Sequence, residues 1–494
     1  MTNQTLKPSM NKEEKITKET NNRRDFIKTT AIAAAAFMIV PRHVLGRGFV
    51  APSDRLLIAG IGVGGKGQSD IAMFAKSGKA DIAFLCDVDS RRAVRSVNAF
   101  PKAKFYKDWR EMLDKEHKNF DAVSVSTPDH NHAIQTLAAM QLGKHVYVQK
   151  PLTHDIYEAR ILTQAAKKYK VVTQMGNQGS SNDGTRIMKE WYEAGLIGDV
   201  HTVKAWTDRP VWPQGIPWPT KAAEIPKELD WDLWLGTAPQ KNYVDKLVPF
   251  NWRGWWDYGT GALGDMGCHL IETPFSILNL KYAKDVQCSV GSVYVDEFKR
   301  GYFPDSCPPS SHVTLTFPKT DKTKGDVTLH WMDGGIQPER PSELEPNEIF
   351  GDGGNGTLFI GTKGKMMCDT YGLNPRLLPL SRNENLKVAQ KYPRVKDGAE
   401  GHYNQWVEAS IAGYGKLEVS SPFEIAGPLT EALLMANLAI RGYDIHKEIL
   451  GEDVYPGRSA KLLWDNENMK ITNFDDVNQF VKRNYREGWA NLTL

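Results

Sequence analysis

Between Leu56 and Gln174 the chain alternates short apolar runs with segments whose apolar residues recur at helical spacing. The runs at 56–59, just before Asp87, 104–106, 121–126, 145–148 and 171–174 have the length and residue types of buried strands. The segments at 91–99, 109–116, 133–142 and 156–168 predict helices, the third stopped by Gly143. Strands separated by helices need crossover connections, hence a parallel sheet covered on both faces. Beyond 174 the pattern changes. A loop at 175–179 and a helix at 185–194 lead into an aromatic, proline-rich stretch. Residues 283–386 are strand-like and rich in turns, and helices at 402–411 and 425–441 precede a tail in which Trp464, Tyr485 and Trp489 predict packing back onto the body. The expected units are 51–178, 179–450 and a tail at 451–494, after an N-terminal segment at 1–46.

The first strand runs into Gly62-Val63-Gly64-Gly65-Lys66-Gly67, and Asp87 lies twenty residues beyond Gly67. Strand, G-x-G-x-x-G, helix, strand and acid form the dinucleotide fingerprint. Gly62 serves the tight turn, Gly64 the approach of backbone to pyrophosphate, and Gly67 the packing of helix on strand. Gly60, Gly62 and Gly65 also fit the spacing; the later register leaves the longer strand. Asp87 favours NAD, because a carboxylate accepts from the ribose 2′-hydroxyl and repels a 2′-phosphate. Arg91 and Arg92 keep NADP as the alternative.

Ligands of open α/β sheets bind at the carboxyl ends of strands. The turns Thr127-Pro128-Asp129-His130-Asn131-His132 and Gln149-Lys150-Pro151 fall at that edge. His130 and His132 read equally as cofactor contacts or as helix N-terminal polarity. Lys150, a cation at a strand end facing a nucleotide, is seldom there for packing. Further on, Asp265 and His269 stand four apart in ALGDMGCHLIE and share a face if that stretch is helical. A carboxylate beside an imidazole would orient the ring and raise its proton affinity. The pair also reads as a satisfied helix start, or as half a metal site for which no third ligand is evident. Eight of the fourteen tryptophans fall between Trp206 and Trp256, more than a core needs, which offers flat platforms for sugar rings. The proline-rich loop at 210–226 is expected to cover the cleft.

The glycine loop, Asp87, the TPDHNH turn, the lysine-proline turn and DMGCH together resemble the Gfo/Idh/MocA family of NAD(P)-dependent sugar and polyol oxidoreductases. The closing WDNENMKITNFDDVNQFVKRNYREGW resembles the ending of exported bacterial members. The resemblance implies an α/β protein: an N-terminal Rossmann doubly wound parallel sheet plus a C-terminal α/β domain with a large open antiparallel sheet, a homo-oligomer, and a site between the domains. It implies Lys150, Asp265 and His269 as catalytic residues. Asn177, Trp252, Arg253 and His269 are the expected substrate contacts. Gly62, Val63, Gly64, Gly65, Lys66, Gly67, Asp87, Thr127, Pro128, His130, His132, Gln149 and Lys150 are the expected contacts to NAD. One departure stands out: Gln149 replaces the glutamate usual before Lys-Pro, which puts any charge coupling to the lysine in doubt. Hydride transfer with His269 as proton acceptor and Lys150 polarising the oxygen is the expected chemistry. An NAD-dependent glycosidase and a non-catalytic sugar-binding protein are the alternatives.

At the N-terminus, Asn22-Arg23-Arg24-Asp25-Phe26-Ile27-Lys28 precedes an apolar run and resembles a twin-arginine export signal, so a periplasmic protein is expected. The run is too short to span a bilayer, so no membrane span is expected in the mature protein. The first 46 residues carry eight Lys/Arg and four Asp/Glu, so the whole-chain charge of +3 becomes about −1 without them. A near-neutral chain has no electrostatic footprint for nucleic acid. Cys86, Cys268, Cys288, Cys307 and Cys368 form no CxxC pair, so no thiolate metal site is expected.

Overall fold

The computed structural model describes residues 54–494, so the twin-arginine segment lies outside the described residues. Six parallel strands form the first sheet: β1 (Leu56–Ile61), β2 (Ala80–Cys86), β3 (Lys104–Tyr106), β4 (Ala122–Val125), β5 (His145–Val148) and β6 (Thr173–Met175). Their order, β3-β2-β1-β4-β5-β6, is that of a doubly wound dinucleotide-binding sheet. β4 is buried at all four positions because helices cover both faces. The covering helices are α1 (Lys66–Lys76), α2 (Ser90–Ala99), α3 (Trp109–Glu116), α4 (Asp129–Gln141) and α5 (Ile156–Tyr169). Asp155 caps α5 by accepting from the Glu158 N–H, while Glu158 reaches back to the cap, satisfying the free donors of its first turn. α4 begins at Asp129, directly after Pro128, so most of the expected TPDHNH turn is the first turn of a helix.

The chain continues through α6 (Asp183–Glu193), β7 (Val200–Trp206), α7 (Trp231–Leu235) and α8 (Gly261–Leu278). The second sheet then gains β8 (Asp285–Val290), β9 (Ser311–Phe317), β10 (Val327–Met332), β11 (Gly356–Gly361), β12 (Gly364–Cys368) and β13 (Arg376–Leu378). Helices α9 (Gly398–Ala412) and α10 (Phe423–Tyr443) follow, and β14 (Leu462–Asp465) and β15 (Lys470–Ile471) close that sheet. Its order is β13-β12-β11-β7-β10-β9-β8-β14-β15. The sheet is mixed rather than antiparallel throughout, because β7 and β10 pair in parallel.

β9 alternates buried and half-buried residues, as a sheet packed on one face should. Phe317 on its inner face meets Phe275 of α8 edge-on at 5.3 Å, and fully burying one such side chain contributes about 1.5–3 kcal/mol. α10 is long and apolar enough to cross a bilayer, but 89% of its most apolar window is buried inside the protein. It is a core helix, packed against α5, α8 and β8.

Candidate active site

β1 ends in a turn that only glycine enters without strain. Gly62 has φ +76°, and a Cβ there would lie 2.8 Å from the Ser126 backbone. At Gly67 a Cβ would fall 1.8 Å from the Gly62 carbonyl oxygen, so α1 sits directly on the strand end. These two contacts fix the later register. Gly65 caps α1 without a side-chain acceptor, leaving the N-terminal N–H groups and the helix dipole for an anion. Asp87 accepts from the N–H groups of Gly64, at 3.0 Å, and Asp89, at 2.9 Å, and burial pushes its carboxyl up to about 6. Arg92 lies over the loop, its guanidinium 2.8 Å from where a Gly65 Cβ would be, while Arg91 is turned away onto Asp89. Val63 is a correction: its side chain is fully buried in the core, and its carbonyl accepts from Ser96 at 2.6 Å.

A cavity of about 600 Å³ runs from this loop past Thr127, Pro128, Gln149 and Lys150 to Asp265 and His269. The Lys150 ammonium donates to the Asp265 carboxylate at 2.8 Å and to the Asp265 carbonyl at 2.7 Å. Arg253 approaches the same carboxylate oxygen at 3.3 Å. Burial raises the Asp265 carboxyl, but Lys150 and then Arg253 outweigh it and hold it at about 2. The two cations therefore claim Asp265, and it is not the hydrogen-bond partner of His269 as the spacing implied. Asn177 is that partner, its side-chain oxygen 3.0 Å from His269 Nδ1. Because the Asn177 amide nitrogen donates to the Cys268 carbonyl, its oxygen must accept from Nδ1–H, which assigns the lone pair to Nε2. Burial, reinforced by Lys150, lowers His269 to about 3, so the ring is neutral near pH 7 with its lone pair free at Nε2.

His130 and His132 are corrections too. The ring of His130 is fully buried between the Trp234 and Tyr258 carbonyls, at 3.1 and 3.3 Å. The ring of His132 bridges the Thr127 and Pro151 carbonyls, at 2.7 and 2.8 Å. Both rings tie turns together and neither lines the cavity. Gln149 donates to the fully buried Asp70 at 2.8 Å, in a group that also receives Ser126, Tyr403 and Lys66. An amide donates to Asp70 where a glutamate would repel it, which accounts for the unusual residue before Lys150.

Trp252 and Arg253 line the cavity, the guanidinium 4.4 Å above the indole. Trp234 and Trp109 also reach it, whereas Trp218 and Trp255 pack on each other at 4.8 Å. Val248, Pro249 and Phe250 also line the cavity, whereas residues 210–226 contribute nothing to the lining. Tyr371 was not foreseen. It arrives from the second sheet with φ +64° and sets its ring 4.6 Å from His269, edge-on. No local pattern marks it. Among the described residues no cluster of His, Cys, Asp and Glu could hold a metal ion.

A family model for the oxidoreductases with an NAD-binding Rossmann fold matches residues 56–177, and the model for their C-terminal α/β domain matches residues 206–307. The chain belongs to the Gfo/Idh/MocA oxidoreductase family. It is similar to the levoglucosan dehydrogenase of Pseudarthrobacter phenanthrenivorans, 23% identical over 189 residues that cover 38% of this chain and 40% of that protein. It is also similar to the alpha-N-acetylgalactosaminidase of Shewanella oneidensis, 27% identical over 184 residues covering 34% of this chain and 39% of that one. The chain thus spans about two fifths of the length of these two relatives. Among solved structures, the WlbA dehydrogenase of Bordetella pertussis with NADH and UDP-GlcNAcA shares the fold at TM-score 0.52 and 16% identity, covering 77% of this chain and 95% of that one. A levoglucosan dehydrogenase with NADH and levoglucosan shares it at TM-score 0.51 and 16% identity, over 78% and 96%. The glycine cradle, the open N-terminus of α1 and the Asp87 carboxylate fit the adenosine and pyrophosphate parts of NAD, as this family's first domain requires.

Proposed function

We propose that this Gfo/Idh/MocA protein is an NAD-dependent dehydrogenase that oxidises a ring hydroxyl of a sugar, glycoside or polyol to a ketone, reversibly. The observation that carries it is a neutral His269, presenting Nε2, in the same cavity as Lys150 and the glycine loop. NAD held on that loop supplies the two-electron acceptor for hydride. Lys150 has three N–H donors and gives two to Asp265, so one remains to polarise the substrate oxygen. His269 Nε2 takes the hydroxyl proton during oxidation and returns it during reduction. Asn177 holds the tautomer that makes this two-way traffic work. Phe250 and Tyr371 give flat faces to a sugar ring, and Arg253, stacked over Trp252, reads a polar substituent.

The similarity to an alpha-N-acetylgalactosaminidase favours a second reading, a glycosidase in which oxidation is transient and the sugar is released. The proposed export of the folded protein by the twin-arginine route fits a cofactor that stays bound, since a hydride then has no free nucleotide to leave on. Incubating the purified protein with a panel of glycosides tests the readings together. Ketone formation with bound nucleotide retained through gel filtration supports the dehydrogenase; stoichiometric free sugar without ketone supports the glycosidase; neither product from any glycoside rejects both.

A further inference from the structure

Of the eighteen residues of α8, only Asp265 and Ser276 escape burial, and they line different cavities. Asp265 belongs to the cleft. Ser276 lines a second cavity of about 740 Å³, bounded by α6, α8, α9 and residues 392–397, which shares no lining residue with the cleft. Its volume lies in the range of small-molecule sites, roughly 300–1,000 Å³.

Lys79 and Glu408 pair with each other in the lining, at 2.6 Å, but the charges around Glu272 are not neutralised by one another. Glu272 is only 5% exposed, lines the cavity, and has no hydrogen-bond or ion-pair partner among the described residues. Burial pushes its carboxyl up to about 7, against the pull of Arg186 and Lys189, neither of which comes within ion-pair distance. Arg186 gives its protons to the carbonyls of Ser180, at 2.8 Å, and Asn182, at 3.0 Å, and to the Ser420 hydroxyl, at 3.1 Å. Lys189 stands 4.5 Å over the Tyr392 ring and meets no carboxylate. A buried carboxylate left without a donor is costly, and a protein keeps one where something else supplies the donor.

A molecule filling the gap needs a donor toward Glu272 and an acid toward Arg186 and Lys189. In the neutral part of the lining, the Asn404 amide and the Gln405 amide nitrogen have no hydrogen-bond partner among the described residues and can bond hydroxyls. We propose that this cavity is a second ligand site, for a hydroxylated carboxylate of the sugar-acid type. Its carboxylate would rest on Arg186 and Lys189, and one of its hydroxyls would donate to Glu272.

The site is wired to the cleft through one short turn. Arg186 holds the Ser180 and Asn182 carbonyls, the Ser180 hydroxyl donates to the Asn177 carbonyl at 2.6 Å, and Asn177 fixes His269. Drawing Arg186 toward a ligand therefore loads the turn that sets the His269 tautomer. This coupling rests on the reading of His269 as the proton acceptor; the ligand site does not.

Calorimetric titration of the full protein with D-glucuronate tests the site without needing turnover. D-Glucose, which lacks the carboxylate, and acetate, which lacks the hydroxyls, are the companion probes. Glucuronate is expected to bind with Kd about 1 mM or tighter, and at least roughly tenfold more tightly than either companion. Arg253→Ala in the cleft should leave that affinity unchanged, whereas Glu272→Gln and Lys189→Met should each weaken it roughly tenfold or more. Lys189→Met touches no buried hydrogen bond, so it decides the matter if Glu272→Gln fails to fold. Absence of binding, or binding lost in Arg253→Ala and kept in Lys189→Met, overturns the site. Binding that leaves kcat and KM of the cleft reaction unmoved overturns the coupling.

Discussion

Two clusters of buried charge flank the end of β5, and they serve opposite ends. In the cleft, Lys150 and Arg253 converge on Asp265 beside a cavity, and Lys150 keeps one N–H uncommitted. In the second cluster, Arg483 from the C-terminal tail donates to Glu158 at 2.7 and 3.1 Å and to the His130 carbonyl, while Tyr485 donates to the same Glu158 oxygen at 2.7 Å. Asp155 and Glu158 in that cluster are 5% and 1% exposed and already cap α5. Buried charge alone therefore does not mark a reaction site. A spare donor that opens on a ligand-sized cavity does: Lys150 lines one, whereas Arg483 Nη1, also buried without a partner, does not line that cavity.

The sharpest test of this contrast is His269→Ala. Turnover should fall roughly 10²–10⁴-fold, with nucleotide content little changed and a stability loss of no more than about 1–3 kcal/mol, the cost of leaving the buried Asn177 oxygen without its donor. Equal losses of stability and rate would place His269 with the sealed cluster instead. The acid limb of kcat/KM for oxidation carries the same information. With His269 lowered to about 3 by burial, the base stays unprotonated as pH falls through the ordinary histidine value near 6.5. The profile should stay flat there; a limb centred between pH 6 and 7 would show a base that is not His269 in this environment.

Arg483→Met should do the reverse. It leaves Glu158 and Asp155 buried without their cation, and breaking such a pair costs about 3–5 kcal/mol. Chemical denaturation should read that loss, while kcat measured well below the melting point stays within roughly twofold, since Arg483 touches no cleft residue. A large fall in kcat with unchanged stability would erase the contrast between the clusters.

What could be read in advance follows the same division. The glycine loop, Asp87 and the Lys150 turn were legible because each is a local backbone demand written into a few adjacent residues. α8 was legible as the helix that puts Asp265 and His269 on one face, but their partners were not. Asp265 is taken by a lysine just after β5 and an arginine from the 251–254 turn, and His269 by Asn177 beyond β6, all choices made by tertiary packing. His130 and His132 looked like site residues because the strand edge is right; the helix that starts at Asp129 turns both rings inward onto carbonyls. Tyr371 had no signal at all, since only the second sheet brings it to the cleft.

Asp87 sits between the two kinds of behaviour, since its carboxylate both faces the cavity and holds the Gly64 N–H. Asp87→Asn keeps an acceptor for that N–H and removes the negative charge. NAD affinity should fall modestly and NADP affinity rise, so that the preference for NAD shrinks about tenfold. Paired titrations of the two nucleotides read this directly. A preference unchanged by the substitution would move cofactor choice to Arg92, which overlies the loop.

An effect of similar size belongs to Gln149, which lines the cleft yet bonds a buried group. Its amide donates to Asp70, which also receives Ser126 and Tyr403, each at 2.9 Å, and Lys66. Gln149→Glu restores the acid usual in the family but removes a donor from a fully buried carboxylate and sets a second carboxylate against it. The loss should be about 1–3 kcal/mol at pH 7. The sign of its pH dependence follows from linkage. A glutamate set against another carboxylate has its folded-state pKa raised above the unfolded value, so the folded variant holds an extra proton between those values. Relative to the parent, the variant should therefore regain stability as pH falls from 7 toward 5. A stability gap that is constant or widens over that range would mean that the new glutamate turns away from Asp70, most simply toward Lys150. In that case kcat, not stability, would respond to Gln149→Glu.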